Sequence, residues 1–394
     1  LKINRLTIIL IVAILIIGSL TTILMVEGNK RADPGEVTWE SKLFEDYGIN
    51  RHGVFFISDD VIYGGAAERD FGSPIDGQVI AVDLETDELL WNHSHHVPTG
   101  HSLVITSVYE SDGVVYTGSY DGILVAADAS TGERIWNISR HRGRGWHGAI
   151  RSIDVFEDMV FTASSDESVA VTDAETGELL WNHTHHDGGV FSVQYSDGVV
   201  YSTCFEGDII AADRDTGELL WRRSHDQGWY PSLYVEDGVM YTGCTAGESI
   251  ALDLEDKEII WSRTHHGDRI LGLHVDDGII YSGAFDGYVI ASDSSNGEEI
   301  WRHRYQKERD GRTYRGEILS VQAYEGNVYS SDSAGTVIAV EQEGNLLLGI
   351  SRTLSGFWEA HSGTLFITLI IALVAIALIF GKTRSWSEPR GLLK

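Results

Sequence analysis

Histidine is the residue whose placement along this chain most suggests chemistry. Of 16 histidines, 13 fall in six short segments, 92–101, 137–151, 182–189, 222–230, 262–270 and 302–315, which also hold 14 of the 29 Lys and Arg residues. The copies His95-His96, His185-His186, His225-Asp226 and His265-His266 stand four and five residues beyond a tryptophan. Imidazole can ligate a metal, carry charge near neutrality or hydrogen-bond while neutral. Three readings follow. Duplication could have copied a polar loop whose histidines cap strands. The histidines could join Arg140, Arg142, Arg144, Lys307, Arg309, Arg312 and Arg315 in an anion-binding mouth. Paired imidazoles also suit zinc, copper or nickel, but equivalent loops of a repeat need not converge to the ~2 Å ligand distance. No resident metal is expected. On the second reading, acidification should charge the histidines together and strengthen attraction for an anionic partner.

Other candidate groups have more ordinary readings. Cys204 and Cys244 lie one repeat apart, at a position that Ser164 and Ala284 fill elsewhere, so buried free thiols are expected. Asn92-His-Ser, Asn137-Ile-Ser and Asn182-His-Thr are glycosylation sequons. There is no nucleophile elbow, phosphate loop or metalloprotease motif in the sequence, and no catalytic residue is assigned.

The elements that position these residues are set by a repeat. Trp91, Trp136, Trp181, Trp221, Trp261 and Trp301 are spaced by 45, 45, 40, 40 and 40 residues, and each closes one phrase. That phrase reads Ala126-Ala-Asp128-Ala-Ser-Thr131-Gly132-Glu-Arg-Ile-Trp136 in its second copy. Its Asp (83, 128, 173, 213, 253, 293) caps its own turn, because a calcium loop would need more oxygens in one segment. A seventh copy runs from Ala339 to Leu346-Leu-Leu348 without the tryptophan, and Val37-Thr-Trp39 supplies one extra terminal strand. Within 190–223, alternating runs broken by Asp197-Gly198, Glu206-Gly207 and Thr216-Gly217 give four antiparallel strands. The expectation is an all-β, seven-bladed propeller of four-stranded blades over 37–352, with each tryptophan filling the space between neighbouring sheets.

The phrase A-x-D-x-x-T-G-x-x-x-W resembles the repeat of the pyrroloquinoline-quinone-like propellers, over about 37–352. That resemblance implies either a quinoprotein dehydrogenase or a cofactor-free propeller of the outer-membrane assembly kind. The quinoproteins carry adjacent cysteines beside the quinone and usually eight blades. Cys204 and Cys244 are not adjacent and seven copies are present, so no quinone cofactor is expected.

Composition sets the surroundings. Asp plus Glu total 59 against 29 Lys plus Arg, a net charge of −30. This excludes a nucleic-acid partner, which needs a basic footprint. Such acidity in a chain that is 43% hydrophobic suits concentrated salt and points to a halophilic archaeon. Residues 6–26 and 363–381 are apolar runs long enough to span a bilayer. Lys2, Arg5, Lys382, Arg384, Arg390 and Lys394 flank them, so the positive-inside rule places both tails in the cytoplasm. The expected order is a tail (1–5), a signal anchor (6–26), a linker (27–36), the propeller outside the cell, a linker (353–362), a second span (363–381) and a basic tail (382–394). The function expected is a non-catalytic binding or assembly module. Its partner, another membrane or surface protein or an anionic ligand, docks on the face bearing His95, His96, Arg140, Arg142, Arg144, His185, His186, His225, His265, His266, Arg309 and Arg312. A quinoprotein oxidoreductase and a structural surface protein are the alternatives.

Overall fold

A computed structural model describes residues 37–41, 53–67, 77–96, 104–141, 148–224, 231–309, 312–333 and 336–342. Among them are seven four-stranded antiparallel sheets and one two-stranded hairpin. Blade 4 shows the rule: Val190–Ser196, Val199–Cys204, Asp208–Asp213 and Leu219–Ser224 pair in chain order. The two middle strands are buried almost throughout, whereas the fourth alternates between exposed and half-buried residues. Their short Val/Ile/Ala runs suit strands covered on both faces, and the edge strand keeps polar residues outward.

The first strands form the inner ring. They are Val54–Ser58, Ile105–Ser111, Ile150–Phe156, Val190–Ser196, Ser232–Glu236, Ile270–Asp276 and Ile318–Tyr324, of blades 1 to 7. Each touches the first strand of the next blade, and the last touches that of blade 1. The seam is bonded: the Gln322 amide donates to the Ile57 carbonyl (2.8 Å) and accepts from the Ile57 N–H (2.8 Å).

Blade 7 is closed by the other end of the domain. Ile318–Tyr324, Asn327–Asp332 and Val337–Glu341 pair in order, and Val37–Ser41 takes the outer place. Trp39 sits opposite Ala339 just as Trp91 sits opposite Ala81 and Trp261 opposite Ala251. The tryptophan missing from the seventh phrase is therefore supplied by the amino-terminal strand. Leu346–Leu348, expected to finish that copy, lie outside the described residues, as do both apolar runs. Among the described residues no helix is long and apolar enough to cross a membrane.

The core lies between blades. One cluster joins Phe161, Ala163, Val169 and Val171 of blade 3 to Val190, Val193 and Val200 of blade 4. The repeat tryptophans bridge the outer part of each gap. Trp91, Trp136, Trp181, Trp261 and Trp301 each donate an indole N–H to a carbonyl of the next blade, at Ala129, Ala174, Arg214, Ser294 and Gln342 (2.7–3.1 Å). That carbonyl follows the phrase's Asp or its Glu341 counterpart. Gly217 shows why the turn ends in glycine. Its φ is +70°, and a Cβ there would lie 2.7 Å from the Trp181 ring.

The phrase's Asp is a turn cap, as expected. Asp213 Oδ1 accepts from the Asp215 and Thr216 N–H groups and from the Thr216 hydroxyl (2.8–3.1 Å). These bonds hold Asp83, Asp128, Asp173 and Asp213 below the usual carboxylate range. Cys204 and Cys244 are buried and free.

Candidate docking face

Antiparallel order within each sheet divides the propeller into two faces. The turns joining strands one to two and three to four share one, here the turn face. The turns joining strands two to three share the other, the loop face, with the connections between blades. The turn face is acidic by construction. Asp59-Asp60, Asp112, Glu157-Asp158, Asp197, Asp237, Asp277 and Glu325 fill the first turns of the seven blades, most at positive φ. The capping aspartates add a second ring on the same face.

The histidines of the connections are largely turned inward. In four gaps the residue five beyond the tryptophan reaches into the next blade. His96, His141, His186 and His266 are buried and hydrogen-bonded through Nε2 to Thr117, Thr162, Ser202 and Ser282 on second strands (2.8–3.0 Å). His141 belongs to this series although its neighbour is an arginine. In three gaps the residue four beyond the tryptophan reaches the carbonyl of the next blade's turn glycine. His185 Nε2 donates to Gly217 (3.0 Å), His265 Nε2 to Gly297 (2.8 Å) and the Arg140 guanidinium to Gly177. A third histidine layer adds stacking: Trp181, His183 and His185 lie in a column, with ring centroids 5.3 and 4.1 Å apart.

Burial decides their charge. Loss of solvent pushes His96 and His183 down to about 3 and His186 to about 4, with neighbouring histidines adding repulsion. His95 and His265 are lowered for the same reason. The collective charging expected of unperturbed imidazoles does not apply to these side chains. His96, His186 and His265 bond blade to blade, and among the described residues no group of three or more His, Cys, Asp or Glu could hold a metal.

Of the other expected site residues, Arg142, Arg144 and His225 lie outside the described residues. Arg309 and Arg312 lie in a hairpin, Gln306–Arg309 paired with Arg312–Arg315, where a loop was expected. Asn92, Asn137 and Asn182 are exposed on the outer strands of blades 1, 2 and 3.

Two groups escaped the sequence reading. The first is a girdle around the inner ring. Phe56, Tyr109, Asp154, Gln194, Tyr234, His274 and Gln322 hold one register, each opposite the second-strand aromatic at Tyr63, Tyr116, Phe161, Tyr201, Tyr241, Tyr281 or Tyr329. Phe56 packs on Tyr109 (4.5 Å) and Tyr234 meets His274 edge-on (5.0 Å). Asp154 Oδ2 accepts from the Tyr195 N–H (2.6 Å), and Gln194 pairs with the Val235 backbone. Burial raises Asp154 to about 6, raises Tyr234 to about 12 and lowers His274 to about 4. A polar residue at one phase of an otherwise apolar strand was the available signal. The girdle carries a carboxylate and no Lys or Arg, so it is a poor fit to pyrroloquinoline quinone, whose three carboxylates need cations. Cys204 and Cys244, in different blades, supply no adjacent pair either.

The second group is on the loop face, where Arg151 is the second residue of the first strand of blade 3. Its Nε donates to Ser165 Oγ (2.7 Å), and its Cζ lies 5.3 Å from the Tyr120 ring centroid and 5.2 Å from that of Phe191. Nearby, Arg222 bridges the carboxylates of Asp187 and buried Asp208. Arg269 lies over Phe285 (4.5 Å) and beside Asp268.

A family model described as outer membrane protein assembly factor BamB matches in four overlapping stretches, residues 31–145, 75–203, 165–271 and 205–351. Among solved structures, the chain is similar to BamB from Moraxella catarrhalis, with a TM-score of 0.54 at 16% identity over 79% of this chain and 98% of that one. It is equally similar to the computationally designed Ika8 protein, with a TM-score of 0.54 at 22% identity over 75% of this chain and 97% of that one. At these identities the two structures show the fold alone. No curated protein matches the sequence.

Proposed function

This chain belongs to the PQQ_2 family, the one whose model carries the BamB description, and from that premise we propose that it is a non-catalytic binding or assembly module. It is tethered by residues 6–26 and 363–381 with the propeller outside the cell, and a partner protein docks on the loop face. The observation that carries the reading is the division of charge. Acidic first turns from all seven blades crowd the turn face, while Arg151, Arg222 and Arg269 lie toward the other face. Arg222 and Arg269 are paired with carboxylates of their own face, so on a chain of net charge −30 it is Arg151, with no carboxylate partner among the described residues, that makes the loop face the one suited to an acidic partner.

The girdle's chemistry argues against the quinoprotein alternative. Titration of the full chain with pyrroloquinoline quinone, followed by absorbance and dye reduction, is the test. The expected result is no saturable binding and no dye reduction. Saturable binding with dye reduction would replace the assembly reading by an oxidoreductase.

A further inference from the structure

The Arg151 guanidinium is held by residues of three blades. Tyr120 of blade 2 and Phe191 of blade 4 both lie against it, while Ser165 of its own blade takes its Nε–H. Both ring contacts are within cation–π range. Its two terminal nitrogens have no acceptor among the described residues. Three other arginines differ in this respect. Arg214 meets Glu157 and Asp215, Arg222 meets Asp187 and Asp208, and Arg302 meets Glu299. In a chain with about two carboxylates for every base, Asp121, Asp166, Glu167 and Glu206 stand in the second turns around this position. None of them is paired with Arg151.

The arrangement is also singular. Thr106, Phe191, Pro231, Leu271 and Leu319 occupy the corresponding place in five other blades. The inter-blade histidines recur because each gap needs them, but this arginine serves no recurrent gap. Beside it, the Phe191 ring stands 6.3 Å from that of Phe205, which is 50% exposed. A planar fork held by stacked rings, with an apolar rim, has the make-up of an interface hot spot.

We propose that Arg151 is a carboxylate-reading site at the centre of the docking face. It takes an Asp or Glu side chain from an extended acidic segment of the partner, whose neighbouring apolar residue lies against Phe191 and Phe205. The site deepens the assembly reading and rests on it. The half-buried Arg151 guanidinium is already held by Ser165 and two rings, so a carboxylate that reaches it can bind through two parallel N–H···O bonds with little further ordering. Half-buried Tyr120 and Phe191 beside exposed Phe205 make an open surface that suits a peptide segment better than a small metabolite, which concave pockets enclose.

The test is calorimetric titration of the full chain in detergent with the blocked peptide acetyl-Phe-Glu-Phe-amide. Saturable binding is expected, lost when Gln replaces Glu in the peptide. Arg151→Lys keeps the charge but not the fork, and should weaken binding about tenfold. Arg151→Glu should lose the acidic peptide and bind acetyl-Phe-Lys-Phe-amide instead, a reversal that general damage to the fold would not produce. Affinity unchanged by Arg151→Lys and by the Gln peptide would overturn the proposal. Binding only of acetyl-Phe-Gln-Phe with a free carboxyl terminus would overturn the side-chain assignment. A photo-crosslinker at Glu206 separates this proposal from the broader reading. Partner adducts that persist in the Arg151→Gln chain refute the carboxylate site but leave loop-face docking in place.

Discussion

Acid should unfold this propeller from within, through imidazoles buried in neutral form. Between pH 7.5 and 5.0 an unfolded histidine, with a pKa near 6.5, takes up a proton, whereas His96, His183, His186 and His274, held at about 3 to 4, do not. A depressed histidine pKa means that the unfolded state binds more protons, so stability falls as pH drops below 6.5. At pH 5.0 the difference is about 2 kcal/mol for each group, or roughly 8 kcal/mol for the four. Asp154 acts in the opposite direction. Its pKa, raised to about 6, lets the folded state take up a proton first, which returns about 1 kcal/mol over the same interval. The net loss of about 6 to 7 kcal/mol is comparable to the whole stability of an ordinary domain. Urea unfolding at fixed molar salt, followed by tryptophan fluorescence, measures it, with a control in which His186→Gln keeps a partner for Ser202 without a titrating group. The midpoint should fall steeply from pH 6.5 to 5.0, and less steeply in the control. A midpoint independent of pH over that range would show that these imidazoles are not held neutral between blades.

Three further outcomes are expected. Trp39→Ala removes the residue that closes blade 7 against Ile57, Val82 and Leu84 of blade 1; it should cost about 3–5 kcal/mol, read by the same unfolding assay. Lowering salt from molar to about 0.1 M lengthens the Debye screening distance from about 3 to about 10 Å, so the thermal midpoint of the full chain should fall; an unchanged midpoint would mean that the acidity is no adaptation to brine. Protease added to intact cells should digest the propeller while sparing epitope tags on both tails; loss of a tag at Lys394 with cells intact would refute the two-span topology.

How much of this was readable in the sequence depends on how far each feature repeats. The blade count, strand order and tryptophan contacts follow from a phrase recurring every 40 to 45 residues, and so does the capping role of Asp213. Trp39 was recognisable as part of a closing strand. That it occupies the seventh tryptophan's own place depends on a pairing across the whole domain, which no local pattern records. The histidines were visible as a cluster but not as buried bridges, because their hydroxyl partners lie 16 to 21 residues away on strands that otherwise read as core. His141 hid behind Arg140, and the girdle behind single polar residues in apolar runs. Arg151 was counted among the loop cations without distinction. What sets it apart is the pair of rings from the two adjacent blades, which only the closed ring brings together.

The central claim is that partners meet the loop face and not the turn face. Photo-crosslinking in native membranes, from a benzoylphenylalanine placed either at Glu206 on the loop face or at Asp197 on the turn face, tests it directly, since both positions are exposed. A discrete adduct from position 206 and none from position 197 is the predicted result. An adduct from position 197 alone, or from neither, would contradict it.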